Sequence, residues 1–415
     1  MDDSNHEHYG PGRRPEGDNG PLYSDPEGQI AASRKTLDSL ALSPEARASV
    51  EARGGRRGAL VQAHKNSNGY VGDPGKVRDL TREEREDLEE SKLAAGATRA
   101  KGAGNRALVE EPDSVRTCFE KDGDRIRFDS SFRRLAGKCQ VFVAPRNDHL
   151  RNRLTHALET AQVAVSVARA VGLNVPLVEA MALGHDCGHG PTGHASEEAL
   201  SIYLPEGYDH APYGADITLA GLNLCSETLD GIRNHSWKRP APSTPEGELL
   251  SICDRIAYVC HDFADARIAG IVSSNDLPAL VKQYAGVRQS DQLDYFINSL
   301  VSAIRTHGFI GLEQEAADVL DAFRTMNFER IYLRSASQVQ AEKSVRLLRG
   351  LAEFFIDAPG QLPHVITGRI DHPGAGTEMA RRLTVDHVSG MTDRYAIALG
   401  VEILGLRAAD LPRGV

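Results

Sequence analysis

Residues 184–194 read G-H-D-C-G-H-G-P-T-G-H. His185 and Asp186 place an imidazole and a carboxylate on adjacent positions, where both can face one divalent cation. Leu177 and Met181 precede His185 at steps of four, so the three share one helix face and His185 points toward whatever that helix packs on. Asn174 suits the N-cap of that helix, with Pro176 in its first turn. Further upstream, Leu154, Leu158, Ala161, Val165 and Ala168 recur at steps of three or four, and Gly172 ends the run. The short connection at 172–174 predicts antiparallel neighbours, which brings His156 and His185 to the same end of the pair. Beyond the doublet, Gly184, Gly188, Gly190 and Gly193 make a loop whose backbone can approach a ligand, and a further helix begins near Ser196.

A third long helix is predicted over 248–271. Ile252, Ile256, Cys260 and Phe263 form its apolar stripe, while Asp254, Tyr258 and Asp262 lie on another face. That polar face either meets water or lines a polar cavity. With His156 and Asp254 added, His185 and Asp186 become a set of two imidazoles and two carboxylates. Such a set suits Mg, Mn, Fe or Zn with positions left open for water and substrate, which is a catalytic arrangement and not a structural one. Eight of the 15 histidines lie between 149 and 261. Singly, each reads as a satisfied core or surface histidine, and His149, His235 and His261 are left in that class, with a place near the pocket as the alternative for His235 in R-N-H-S. The joint placement of the others on three helices points to a metal, since unpaired buried charge is costly.

The rest of the chain sets bounds. Its 415 residues can build one large or two modest domains. A net charge of −10 argues against a surface made for non-specific duplex binding, though it allows a local basic pocket. The 6 cysteines are scattered, with no C-x-x-C pair, and read as buried or reduced thiols. No apolar run has membrane-spanning length and the first residues lack a signal-peptide pattern, so the expectation is a cytoplasmic protein with no membrane partner. Residues 1–105 are expected to be a largely flexible extension, with 1–35 disordered and the acidic run 81–92 a solvated helix. The remainder, 106–415, reads as all-α, with a metal core at about 150–270 and a C-terminal helical region at about 271–415. Residues 140–144 are the one run with an alternating, strand-like pattern.

At this point the sequence resembles the HD-domain deoxynucleoside triphosphate triphosphohydrolases, the bacterial dGTPase-like family. The resemblance runs through R-T-C-F-E-K-D-G-D-R-I-R-F-D-S-S-F-R-R-L-A-G-K-C-Q-V-F from Arg116 and R-L-T-H-A-L-E-T-A-Q-V-A from Arg153. It continues through H-D-C-G-H-G-P-T-G-H-A-S-E-E-A-L from His185, G-L-N-L-C-S-E-T-L-D-G-I from Gly221, D-R-I-A-Y-V-C-H-D from Asp254 and S-G-M-T-D-R-Y-A from Ser389. It covers about residues 110–405 and implies an all-α HD-domain core with additional C-terminal helices. It also implies hydrolysis of a dNTP to deoxynucleoside and inorganic triphosphate, and a homo-oligomer.

Carried over position by position, the resemblance gives His156, His185, Asp186 and Asp254 to the metal, with Mg or Mn first and Fe or Zn as alternatives. It makes His194 the proton donor to the leaving 5′ oxygen and Glu197 its orienting carboxylate, which would raise the imidazole pKa. Arg153, His189, His210 and Arg255 match phosphate contacts, Tyr258 and Asp262 touch the sugar, and Gln140 reads the 3′-hydroxyl. The bland reading of Arg255 is a surface helix arginine. Two departures fall in the pocket wall. Thr192 stands where many relatives have an aromatic, and Y-D-H-A-P-Y-G-A-D from Tyr208 replaces a segment with F-E-H-N. The alternatives are an HD phosphohydrolase acting on another nucleotide, or an inactive nucleotide sensor or single-stranded nucleic-acid binder.

Overall fold

The computed structural model describes residues 55–57, 60–62, 69–363 and 373–412. The disorder expected for 1–35 lies outside them. The chain divides into two compact units, 1–78 and 79–415. Within the first, β1 (Gly55–Arg57) pairs antiparallel with β2 (Leu60–Gln62), register Arg56 to Val61. The second unit begins ahead of the boundary drawn at 105/106, because Ala97 and Ala100 are core residues.

The second unit is helical. Its first helix, α1 (Arg82–Glu90), is the acidic run, closed at its start by a capping box between Thr81 and Glu84. Next come α2 (Cys118–Phe128), α3 (Ser130–Arg134), α4 (Arg153–Val171) and α5 (Val175–Gly184). Asn174 caps α5 by accepting from the Leu177 amide, with proline in the first turn, and Gly172 closes α4 at φ 76°. Then follow α6 (His194–Leu200), α7 (His210–Tyr213), α8 (Ser226–Asn234) and α9 (Pro245–Ile268). The C-terminal part contains α10 (Ala279–Tyr284), α11 (Gln289–His307), α12 (Gln314–Asn327), α13 (Ser335–Asp357), α14 (Glu378–Ser389) and α15 (Asp393–Leu404).

Three hydrophobic clusters hold these helices. One joins α4, α9, α11 and α12 through Val163, Ile256, Phe296 and Phe323. A second joins α2, α5 and α8 through Ile126, Met181 and Ile232, and takes Ala157 and Ala161 from α4. A third joins α6, α13, α14 and α15 through Leu200, Leu348, Val388 and Ala396. Helix α4 therefore serves two clusters and is buried on most of its circumference by small residues. Leu158, expected on the apolar stripe, is instead 49 % exposed, because the buried faces run through Ala157, Ala161, Ala164 and Ala168.

Residues 140–144 do not form a strand. The local β contact is a single bridge between Cys139 and Asn152, and Ala144 turns the chain at φ 41°. The bridge lays this segment along the first turn of α4, where Lys138 O accepts from the Arg153 amide at 3.0 Å. The carboxylate of Asp393, the first residue of α15, locks that contact to the doublet loop. It accepts from the Cys139 amide at 3.0 Å and the Thr192 amide at 2.8 Å. Buried Lys138 adds a second tie, donating to the carbonyls of His189 and Ser389. The C-terminal helices are thus structural supports of the loop that carries the site.

Candidate active site

Helix α4 starts at a capping box formed by Asn152 and Thr155, which fixes Arg153 in its first turn and His156 one residue beyond that turn, both buried. Helix α5 ends at His185, and tight turns from Cys187 N to Gly184 O and from His189 N to Asp186 O carry the chain away. This path requires glycine at 188: a Cβ there would lie 2.1 Å from His210 O and 2.4 Å from Gly214 N. Gly193 sits at φ 65°, and a Cβ on it would come within 2.7 Å of the Arg153 guanidinium.

The four residues named for the metal come together. His156 Nε2 lies 3.0 Å from Asp254 Oδ1, and His185 Nε2 lies 3.5 Å from that oxygen and 3.7 Å from Asp186 Oδ1. His185 Nδ1 donates to Ala182 O at 2.6 Å, so its Nε2 carries the lone pair and faces two carboxylates with no donor between them. Such an arrangement asks for a cation, and it is the anchored-histidine pattern of metal ligands. The electrostatics agree. Burial alone depresses the His185 pKa, but Asp186 and Asp254 more than offset it and lift the group to about 9. In the bare site a proton thus takes the place of the cation. Burial opposes ionisation of both carboxylates, yet Arg153 and the histidines hold Asp186 well below the usual carboxylate range. Hydrogen bonds from His156 and His185 do the same for Asp254. The donor set fits a divalent ion.

Cationic and imidazole groups surround this cluster. Arg153 Nη1 donates to Asp186 Oδ2 at 2.9 Å, leaving its buried Nε and Nη2 without partners. His189 Nε2 lies 3.2 Å from Asp186 Oδ1, and its ring stacks on His210 at 3.7 Å between centroids. His194, the first residue of α6, is exposed at the rim, 5.3 Å from the His189 ring. The protein packed around it, together with the Arg153 charge, lowers its pKa; the Glu197 charge does raise it, as expected, but burial and Arg153 outweigh it. Glu197 hydrogen-bonds elsewhere: its Oε1 meets His210 Nδ1 at 2.5 Å and the His210 amide at 3.1 Å. The carboxylate, held well below its ordinary pKa despite burial by that bond, orients His210.

The polar face of α9 lines the interior and not the solvent. Asp262 is buried, accepts from Tyr332 OH, and is raised by burial to about 7. Tyr258 is half-buried, its pKa raised by burial and pulled back by Arg255 and Arg324. Arg255 is no surface arginine: it stacks 3.3 Å from the Trp237 ring centroid and its Nε is buried without a partner. With Arg324 and Arg239 it lines a cavity of about 680 Å³. Gln140 is half-buried beside α4, with its Oε1 unpartnered and no hydrogen bond to the four ligand residues.

Four residues that the sequence left in the background belong to these surroundings. His235 is buried 5.0 Å from the His185 ring, and His261 is buried 6.1 Å from the His156 ring. Arg324 on α12 and Tyr332, just past it, arrive from a segment whose local pattern is that of an ordinary amphipathic helix. Nothing near them in sequence marks them. His149 stays exposed, as its bland reading holds.

Comparison with known proteins accords with this geometry. An HD domain matches residues 153–259, which contain the four candidate ligand residues, and a phosphohydrolase-associated domain matches residues 310–401, which contain Arg324, Tyr332 and Asp393. A deoxyguanosinetriphosphate triphosphohydrolase-like protein of Caldanaerobacter subterraneus is 36% identical over 334 residues, covering 79% of this chain and 96% of the relative. One from Clostridium perfringens is 35% identical over 328 residues (76% and 94% covered), and one from Jannaschia sp. is 34% identical over 367 residues (72% and 92% covered). A solved structure of a hypothetical protein from Aquifex aeolicus matches 70% of this chain and 69% of its own at 17% identity and a TM-score of 0.43. By its match to the relatives over most of their length, the chain belongs to the HD-domain family of deoxyguanosinetriphosphate triphosphohydrolase-like proteins.

Proposed function

We propose that this protein hydrolyses deoxynucleoside triphosphates to the deoxynucleoside and inorganic triphosphate. The observation that carries the reading is the juxtaposition of the His156–His185–Asp186–Asp254 set with Arg153, whose two free guanidinium nitrogens are buried beside it. Buried donors without acceptors are costly, and a phosphate satisfies them bidentately.

A divalent ion held by His156, His185, Asp186 and Asp254, with Mg or Mn first and Fe or Zn as alternatives, would polarise the α-phosphate and lower the pKa of the attacking water. The remaining work falls to the chain's own groups. Arg153 and His189 receive the phosphates beside Asp186, while Arg255 and Arg324 neutralise the distal end of the polyanion. Tyr258, and Asp262 with its partner Tyr332, bound the sugar end, and Gln140 takes the 3′-hydroxyl. Attack of water at the α-phosphorus breaks its bond to the 5′ oxygen. His194 then delivers a proton to that oxygen. His194 is neutral in the empty site, and the negative charge of the arriving triphosphate loads its proton by reversing the effect of Arg153. Glu197 acts on His210, whose ring stacks against His189.

A product-resolved assay of the full chain with each dNTP, singly and in pairs with Mg or Mn, tests this. Triphosphate is the expected product; pyrophosphate or orthophosphate would replace the reading with a different phosphohydrolase.

A further inference from the structure

Three guanidiniums line the cavity beside α9: Arg239 on the connection between α8 and α9, Arg255 on α9, and Arg324 on α12. The Nε of each is buried without a partner. Glu248, Asp318 and Asp321 line the same cavity, but all three are exposed to solvent. Among the described residues no ion pair joins these carboxylates to the arginines. Burial depresses the Arg255 pKa, so its charge is kept at a desolvation cost that an arriving anion would offset.

Trp237 governs how one of these groups can meet that anion. Its Nε1 donates to Ser251 O at 3.1 Å, one helical turn before Arg255 on the same face of α9. The Ser251 hydroxyl donates in turn to His235 O, so the connection is pinned to the helix at two points. Held in this way, the indole is still 55 % exposed, and its face carries the Arg255 guanidinium carbon 3.3 Å from the ring centroid. The five N–H donors of a guanidinium lie in its plane, so stacking occupies the face and leaves the edges free for acceptors. Arg324 is held in the same manner, 4.5 Å over the Phe328 ring. We propose that Trp237 is a positioning residue for polyphosphate recognition, holding Arg255 so that it receives the end of the phosphate chain together with Arg324 and Arg239. The proposal rests on the reading of the substrate as a nucleoside triphosphate. It adds Trp237 and Arg239 to the groups that select for a long phosphate chain.

Trp237 is the one tryptophan of the chain, so its emission reports on the cavity directly. Inorganic triphosphate titrated into the metal-free full chain should change that emission saturably. Orthophosphate should do so only at concentrations roughly tenfold higher or more, since it reaches fewer of the donors. Arg255→Met should remove the response. In steady-state kinetics Trp237→Ala should raise KM for the nucleotide turned over by roughly 3- to 30-fold, the fold-change that a cation–π contact carries, with kcat near the parent value. Trp237→Phe keeps a ring under the guanidinium and should recover most of the affinity. An unchanged KM in Trp237→Ala, a fall in kcat with KM unmoved, or emission that ignores triphosphate would each overturn the proposal. The product assay separates this from the reading of the reaction. A protein that releases triphosphate but keeps its KM in Trp237→Ala refutes the role of Trp237 alone. One that binds triphosphate through Arg255 but releases a different product refutes the reaction alone.

Discussion

His185 shows how a single residue takes its role from its neighbours. The carbonyl of Ala182 selects its tautomer, two carboxylates set its charge, and the cation it calls for follows. His194 is placed differently, at the rim and touching no ligand residue, as a proton donor to a departing group requires. His194→Ala is expected to lower turnover about 10²- to 10⁴-fold while metal content and nucleotide affinity stay near wild type. Full activity in that variant would remove His194 as the acid. Gly188→Ala tests the loop. With backbone atoms of His210 and Gly214 in the place of the new methyl, the variant should lose several °C of thermal stability together with metal content. A variant as stable and as metal-rich as the parent would show that the loop has room to give.

Among the elements, the one with reach beyond its own packing is α15. Its first residue, Asp393, holds the 138–140 segment and the Thr192 turn by two backbone amides in a buried setting. Removing that carboxylate strands two buried donors, each costing about 1–3 kcal/mol. Asp393→Ala should therefore lower the melting temperature and, because the Thr192 turn leads into His194, impair turnover more than metal binding. Thermal melts with metal analysis would check this; unchanged stability would mean that the C-terminal helices do not brace the site. Helix α9 was half legible. Its two faces were visible in the sequence, but whether Tyr258 and Asp262 met water or the interior depended on Arg324 of α12 and on Tyr332 just past it, which pair with them.

For the molecule as a whole, metal and pH are linked through His185. Its pKa in the folded, metal-free protein, about 9, lies above the ordinary histidine value of 6.5. A group raised on folding stabilises fully below its unfolded pKa, and that stability is lost as pH rises through the folded value. Metal-free protein should therefore lose a few kcal/mol between about pH 6.5 and 9, seen as a falling melting temperature. Metal-loaded protein should change less, since the ion replaces the proton. Binding should also release protons in that window, measurable by calorimetry in buffers of different ionisation enthalpy. A flat curve for the metal-free protein would show that His185 holds no such proton.

The sequence by itself determined the helices around residues 153–268 and singled out His156, His185, Asp186 and Asp254, which the fold brings together. Local chemistry writes both: a proline and an asparagine start α5, a glycine ends α4, and 3.6-residue periodicity decides which side chains turn inward. The alternating pattern at 140–144 forms no strand because alternation alone does not supply a partner; the neighbouring Cys139 makes one bridge, to Asn152. Only the tertiary structure decided that Glu197 holds His210 and not His194, that His235 lies against the His185 ring, and that Arg324, Tyr332 and Asp393 complete the surroundings. Those contacts join residues far apart in the chain, and no spacing rule reaches across such distances. They exist because the hydrophobic clusters that hold the helices bring distant segments side by side: α4 contributes to two of them and α6 and α15 share the third.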